Sequence, residues 1–319
     1  MNENSTIVEG LNCLFKTWIP HIITGFLVVY ITFSGVLYMR QLNPTTVYAE
    51  SEISPRTEQH KMQTAQERRP HIVLGILSGE KKIRFRDTQR ETWIKTMLSL
   101  HKVLPFKITY KFLLDEPSSE SIKENNLHKD IVYLNVSHHG RAVKFGEKMY
   151  VWWKYIHKVY PDALMGARID DDAFVCVPQM FHRLNTLKAG NLYYGWRHGK
   201  SRQINRNNRI DEMFLVLGKD LISLVSNRTY CGQRKCKNKD DLIDIEFGDT
   251  SLAEWLSVYS DKINFKADND RIVQCGANSH AIYKRFLKPG FCDKQLVFHK
   301  STCEMMQQLH SWNNHSVGG

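Results

Sequence analysis

The chain has 319 residues, 42% of them hydrophobic, and a formal net charge of +11. That apolar content excludes a disordered chain, and the length bounds the answer to one large domain or two small ones. The positive balance suits nucleic acid, an acidic membrane surface or an anionic substrate, but basic clusters such as "EKKIRFRDTQR" and "GKSRQINRNNR" hold few aromatics, so solvated faces explain them and a nucleic-acid partner is disfavoured.

Residues 1–17 read as a short tail. The next segment, "WIPHIITGFLVVYITFSGVLYM" from Trp18 to Met39, is 22 residues without Asp, Glu, Lys or Arg. As a helix it is about 33 Å long, enough for a hydrocarbon core of about 30 Å. Trp18 and Tyr38 sit at its two ends as interface anchors. The run is too long for a cleaved signal peptide, so it predicts a signal anchor. Residues 40–69 are polar, without apolar period, and read as a stem. A compact domain spans 70–319.

That domain opens with "HIVLGILS" (71–78), a continuous apolar run of strand length, as a buried parallel strand requires. "RETWIKTMLSLHK" predicts a helix, "FKITYKFLLD" (106–115) a strand, "SSESIKENN" a short helix with a serine N-cap, and "IVYLN" (131–135) a strand. Ala142 to Tyr160 carries Phe145, Met149, Trp152, Trp153, Ile156 and Val159 near helical spacing. "ALMGARID" is the next strand, and a helix starts near Pro178. Strand–helix alternation of this kind predicts an α/β sheet with parallel crossovers, whose ligands bind outside the strands' carboxyl ends.

Three acids, Asp170, Asp171 and Asp172, stand at such an end. On extended chain Asp170 and Asp172 face one way and Asp171 the other. Two carboxylates on one side repel unless a cation or proton lies between them. An oxygen-rich pair suits Mn²⁺, Mg²⁺ or Ca²⁺; the bland alternative is an Asp capping the following helix. A cation on two carboxylates commonly also takes phosphate oxygens. The chain has neither G-x-x-x-x-G-K-[ST] nor G-x-G-x-x-G, which leaves a sugar nucleotide as the diphosphate ligand.

Sequons at Asn135, Asn227 and Asn314 and six cysteines after the anchor (Cys176, Cys231, Cys236, Cys275, Cys292, Cys303) suit an oxidising lumen. Short loops favour Cys231–Cys236 and Cys292–Cys303 among the possible pairings, with zinc as the alternative for "CGQRKC".

"RFRDTQRETW", "RIDDDAFV" and "GDTSLAEWL", in that order and over roughly residues 70 to 275, resemble the β1,3-galactosyltransferase and β1,3-N-acetylglucosaminyltransferase family of the Golgi. The resemblance implies a GT-A type fold, type II topology in the Golgi membrane, a UDP-sugar donor, a glycan acceptor, Mn²⁺ and inversion at the anomeric carbon. It implies that Asp172 is the principal metal ligand, helped by Asp170, with Asp170 and Asp171 also serving the nucleotide. Asp249 takes the place of the catalytic base, with Glu246 as rival, or it caps the helix "TSLAEWL". Arg86 and Arg90 approach the nucleotide phosphates, or form salt bridges that fix the first helix. A histidine near the C-terminus completes the metal shell, His299 ahead of His280. The family's Glu before the base is absent and its last Gly is Ala253, its Tyr-Val element is replaced by "RIDEMFLVLGKDL", and its Asn-Leu-Thr-x-Lys element is reduced to Lys148. These departures leave the donor sugar open and a non-catalytic lumenal binding protein as the second reading.

Overall fold

The computed structural model describes residues 69–136, 145–201, 203–232, 241–243, 247–274 and 285–314. The apolar segment 18–39, most of the stem, Glu246 and His280 lie outside the described residues. Among the described residues no helix is long and apolar enough to cross a membrane.

Strand β1 (His71–Leu77) enters the core at once, and β2 (Lys107–Leu114) and β3 (Ile131–Tyr133) pair beside it in parallel. Between β1 and β2 run α1 (Ile83–Glu91) and α2 (Trp93–Ser99), and α3 (Ser119–His128) precedes β3. Helix α3 begins at the predicted serine cap: the Ser118 and Ser121 side chains each accept from the other's backbone N–H. Helix α4 (Phe145–Val159) leads to β4 (Ala163–Asp170), which pairs parallel with β1 on its other side. After β5 (Phe174–Val175) and α5 (Val177–Asn185) come β6 (Leu192–Arg197) and β7 (Ile210–Gly218). Strand β7 runs antiparallel to both its neighbours, β4 and β6. The chain continues through α6 (Lys219–Ser226), β8 (Tyr230–Gly232), β9 (Leu242–Ile243), α7 (Gly248–Ser257), β10 (Asn264–Ala267) and β11 (Ile272–Val273). It closes with α8 (Phe291–Lys294), β12 (Val297–Phe298) and α9 (Cys303–Asn314). The main sheet has seven strands in the order β10-β6-β7-β4-β1-β2-β3, and a small sheet has the order β11-β12-β5.

Strand alternation divides the interior. Ile72, Leu74 and Ile76 of β1 pack with Trp93, Ile94, Phe181 and Leu309 on one face. Val73 packs with Trp152, Trp153, Ile222 and Leu252 on the other. Gly75 has a packing reason: a Cβ there would lie 2.4 Å from Trp152 Cε2 and 2.7 Å from Leu113 Cδ1. Its absence lets α4 seat a tryptophan on β1.

Two expectations are corrected. The helix expected from Arg90 onward is two helices, broken at Thr92 (φ −111°, ψ −108°), and the first reaches back to Ile83. The buried residues of that helix are Arg86, Thr88 and Gln89, so it shows no apolar period. Cys292 pairs with Cys176, 116 residues away, and not with Cys303, whose thiol is free and buried. Antiparallel pairing of β5 with β12 brings the segments of Cys176 and Cys292 together, which short-loop reasoning misses. Cys231 is disulfide-bonded, and Cys236 lies outside the described residues.

Candidate functional site

The site is built where β4 ends. A turn closes with Ala173 N–H donating to Asp170 O at 3.2 Å. The chain then pairs Phe174 with Phe298 and Val175 with Val297, antiparallel. Continuing that ladder outward sets Asp172 opposite the residues just past β12, and Ser301 N–H donates to Asp172 O at 2.8 Å. His299, one residue past β12, is thereby brought to the triple Asp. Its Nε2 lies 3.2 Å from Asp170 Oδ2 and 3.1 Å from Asp172 Oδ1. Asp171 points elsewhere, as the alternation requires, and accepts from Ser78 Oγ at 2.8 Å.

These contacts are short, yet His299 Nε2 and Asp172 Oδ1 are buried without a hydrogen-bond partner of acceptable angle. They meet as close ion-pair contacts outside hydrogen-bond geometry. Two carboxylate oxygens and one imidazole nitrogen, all mutually within 4.8 Å, form a donor set that could hold a divalent cation. An orphaned buried carboxylate oxygen and imidazole nitrogen are costly, and a cation between them removes the cost.

Charge holds this set in place. Arg168, wholly buried in β4, contacts Asp170 Oδ1 at 2.8 Å and Glu212 Oε2 at 3.6 Å. Burial alone would raise the Asp170 pKa, but Arg168 and His299 hold it at about 2. Burial also raises Asp171, against its Ser78 hydrogen bond. For His299 burial acts downward, and the two aspartates outweigh it to about 9. Lys300 Nζ stands 3.3 Å from Asp172 Oδ2.

A second group adjoins the first. His198 Nε2 lies 2.8 Å from Asp211 Oδ2, and Asp249 is within the same cluster. Asp249 is in the first turn of α7, only 3% exposed, and accepts from Arg209 Nε at 2.7 Å. A Cβ on Gly248 would lie 2.8 Å from Glu212 Oε2 and 3.0 Å from Phe145 O, so this glycine leaves room for the Glu212 carboxylate beside the start of α7. The groups meet through Gln274: its Nε2 donates to Asp211 Oδ2 at 2.9 Å, and its Oε1 contacts His299 Nδ1.

Arg86 and Arg90 stand differently. Arg86 is buried, and its Nε and Nη2 donate to Glu124 at 2.8 and 2.5 Å. Its other N–H groups are taken by Ser78 Oγ, Gly79 O and Glu80 O. All five donors are engaged, so none is left for a phosphate. Arg90 bonds Asp130 with two nitrogens at 2.9 Å each, Glu124 at 2.7 Å and Asp87 at 2.7 Å. The two arginines fasten α1 to α3 and β3. Arg86 reaches the acidic turn only through Ser78. Lys148 contacts Asp115, just past β2, at 2.7 Å.

Sequence reasoning singled out Asp170, Asp171, Asp172, Asp249 and His299, and missed Arg168, His198, Asp211, Glu212 and Gln274. The one signal available for Arg168 is a charge inside an apolar strand run, two residues before Asp170 and so on its face.

No protein-family model matches the chain, and no curated protein matches it by sequence. Solved structures similar to it include a glycosyltransferase involved in glycosylation of the major capsid of PBCV-1, at 12% identity and TM-score 0.41, covering 75% of this chain and 98% of that one. The galactosyltransferase LgtC in complex with donor and acceptor sugar analogs has 12% identity and TM-score 0.41, over 76% of this chain and 95% of that one. The glycosyltransferase GlyE of Streptococcus pneumoniae TIGR4 has 13% identity and TM-score 0.37, over 78% of this chain and 64% of that one.

Proposed function

We propose that the protein is a metal-dependent, inverting hexosyltransferase of GT-A type. It moves galactose or an N-acetylhexosamine from a UDP-sugar to a glycan hydroxyl, in β1,3 linkage, on a glycoprotein or glycolipid. Residues 18–39 anchor it in the Golgi membrane with 70–319 in the lumen. The observation that carries this reading is the convergence of Asp170, Asp172 and His299 at the carboxyl end of β4, with Asp172 Oδ1 and His299 Nε2 buried and without a hydrogen bond. In an α/β sheet that is where a ligand binds.

In this reading Asp170, Asp172 and His299 would hold Mn²⁺, which when bound would supply neutralisation of the charge on the departing diphosphate. Asp249 takes the proton of the acceptor hydroxyl as that oxygen attacks the anomeric carbon. The new C–O bond forms on the face opposite the UDP, and the bond to UDP breaks. Arg209 holds Asp249 Oδ2 at 2.7 Å, while among the described residues Oδ1 is met only by the Thr250 hydroxyl at 3.3 Å, so Oδ1 is the oxygen that takes the proton. Donor and acceptor held in line supply much of the remaining rate.

The burial of Asp249 and its Arg209 clamp favour a second reading, a non-catalytic lumenal protein that binds the nucleotide sugar without turnover. The test is UDP release by the full chain from a panel of UDP-sugars, with Mn²⁺ or EDTA, with and without β-galactoside and other glycan acceptors. Mn²⁺-dependent release that rises with one donor–acceptor pair is the expected result. Metal-dependent UDP binding without release by any pair supports the second reading, and release that needs no acceptor makes the protein a sugar-nucleotide hydrolase. Asp249→Asn should keep UDP and Mn²⁺ binding and lower release by roughly 10²-fold or more. Near-normal release by that variant transfers the base role to Glu246.

A further inference from the structure

Gln274 connects two clusters that come from distant parts of the chain. Its Nε2 donates to Asp211 Oδ2 at 2.9 Å, and its Oε1 contacts His299 Nδ1. A side-chain amide has fixed polarity, with one end that only donates and one that only accepts. An ionised Asp211 only accepts. Its Oδ1 already takes the Met213 backbone N–H at 2.9 Å, and its Oδ2 shares His198 Nε2 at 2.8 Å. The NH₂ end of Gln274 must therefore face Asp211, and the carbonyl end must face His299.

A carbonyl oxygen can only accept. Nδ1 of His299 must then carry a hydrogen, so the nitrogen that gives up its proton to a cation is Nε2. Nε2 is the atom that lies 3.2 Å from Asp170 Oδ2 and 3.1 Å from Asp172 Oδ1, buried and without a hydrogen-bond partner. The opposite amide orientation would put a hydrogen on Nε2, aimed at the space a cation would fill.

We propose that Gln274 is a positioning residue that fixes His299 as an Nε2 metal ligand, and that Asp211 dictates this by fixing the amide of Gln274. Asp211 then acts on the metal centre without touching it. The inference rests on the metal-binding reading of Asp170, Asp172 and His299. It goes beyond that reading by assigning roles to two residues outside the ligand set.

The test uses Mn²⁺ on the full chain in detergent. Electron paramagnetic resonance counts free Mn²⁺ during a titration, and the nitrogen hyperfine coupling from ¹⁵N-labelled histidine reports imidazole ligation. Gln274→Met keeps bulk and removes the acceptor, so affinity should fall about 10–100-fold. Asp211→Asn should do the same at a distance, because its NH₂ group turns the Gln274 carbonyl toward itself and the Gln274 NH₂ toward His299. In the double variant Asp211→Asn with Gln274→Glu, a carboxylate accepts from both neighbours. Affinity and the nitrogen coupling should return to near wild type, which a merely structural lesion would not allow. No Mn²⁺ binding with nitrogen coupling in the wild-type chain overturns the metal centre, and the inference with it. Wild-type binding that Gln274→Met and Asp211→Asn leave unchanged overturns the inference alone, as does a double variant no better than Asp211→Asn.

Discussion

Glu124 shows how one side chain can be essential and stay away from the chemistry. Its carboxylate is 3% exposed and takes N–H groups from both Arg86 and Arg90. Burial alone would raise its pKa, but the two guanidinium groups outweigh burial and hold it below the usual value. A folded pKa below the unfolded one contributes stability that is present above the unfolded value of about 4.3 and is lost as pH falls through the folded value. Glu124→Gln leaves two cations under-compensated, one of them buried, so the fold should lose about 3–5 kcal/mol at pH 7. Denaturant unfolding at stepped pH checks it: the gap to wild type should narrow as pH falls below 4, and a gap that stays constant would mean that shape matters here and charge does not. At this scale the sequence was legible only where chemistry is local. Three adjacent acids announce themselves, and Ser118 caps a helix within its own turn. Asp211 and Gln274 do not, since their meaning lies in partners 63 and 25 residues away, Gln274 and His299.

At the scale of elements, the site is positioned by a pair of very short strands. Strands β5 and β12 have two residues each, too short for any alternation to show, and no sequence pattern announced them. Their pairing delivers His299 to Asp172. The Cys176–Cys292 disulfide fastens the same two segments, with Cys176 just after β5 and Cys292 in α8 before β12. A disulfide is typically worth roughly 2–4 kcal/mol. Cys176→Ser with Cys292→Ser should therefore lower unfolding stability by about that much and weaken Mn²⁺ binding, because both ligand-bearing segments gain freedom. Full stability with weakened Mn²⁺ binding would show that the bridge acts locally on the site; full Mn²⁺ binding with lost stability would show that the β5–β12 ladder suffices to form it. Longer elements were readable: α4 by its helical period and β1 by its unbroken apolar run. Helix α1 was not, because the residues it buries are polar.

Taken as a whole, the molecule gathers its site from both ends of the main sheet's sequence. Parallel strands β1 and β4 contribute residues at and just past their carboxyl ends, Ser78 and Asp170 to Asp172. Strand β7, running the other way, contributes its beginning. With Phe214 opposite Ile169, residues 210 to 212 project past β4 and place Asp211 and Glu212 at the same rim. The reversed strand thus adds acids from its beginning to those at the end of β4. Because Asp170 and His299 belong to segments that meet only in the folded chain, a cation that bridges them binds the folded state and not the unfolded one. Such a ligand stabilises by about 2.7 kcal/mol at a hundred times its Kd. For a domain near this size each kcal/mol moves Tm by about 2–4 °C, so saturating Mn²⁺ should raise Tm by roughly 5–11 °C, with EDTA reversing it. Asp172→Asn should abolish the shift while folding normally in EDTA. A shift of full size in that variant would place the ion elsewhere on the protein, and the His198, Asp211 and Asp249 cluster would be the next group to test.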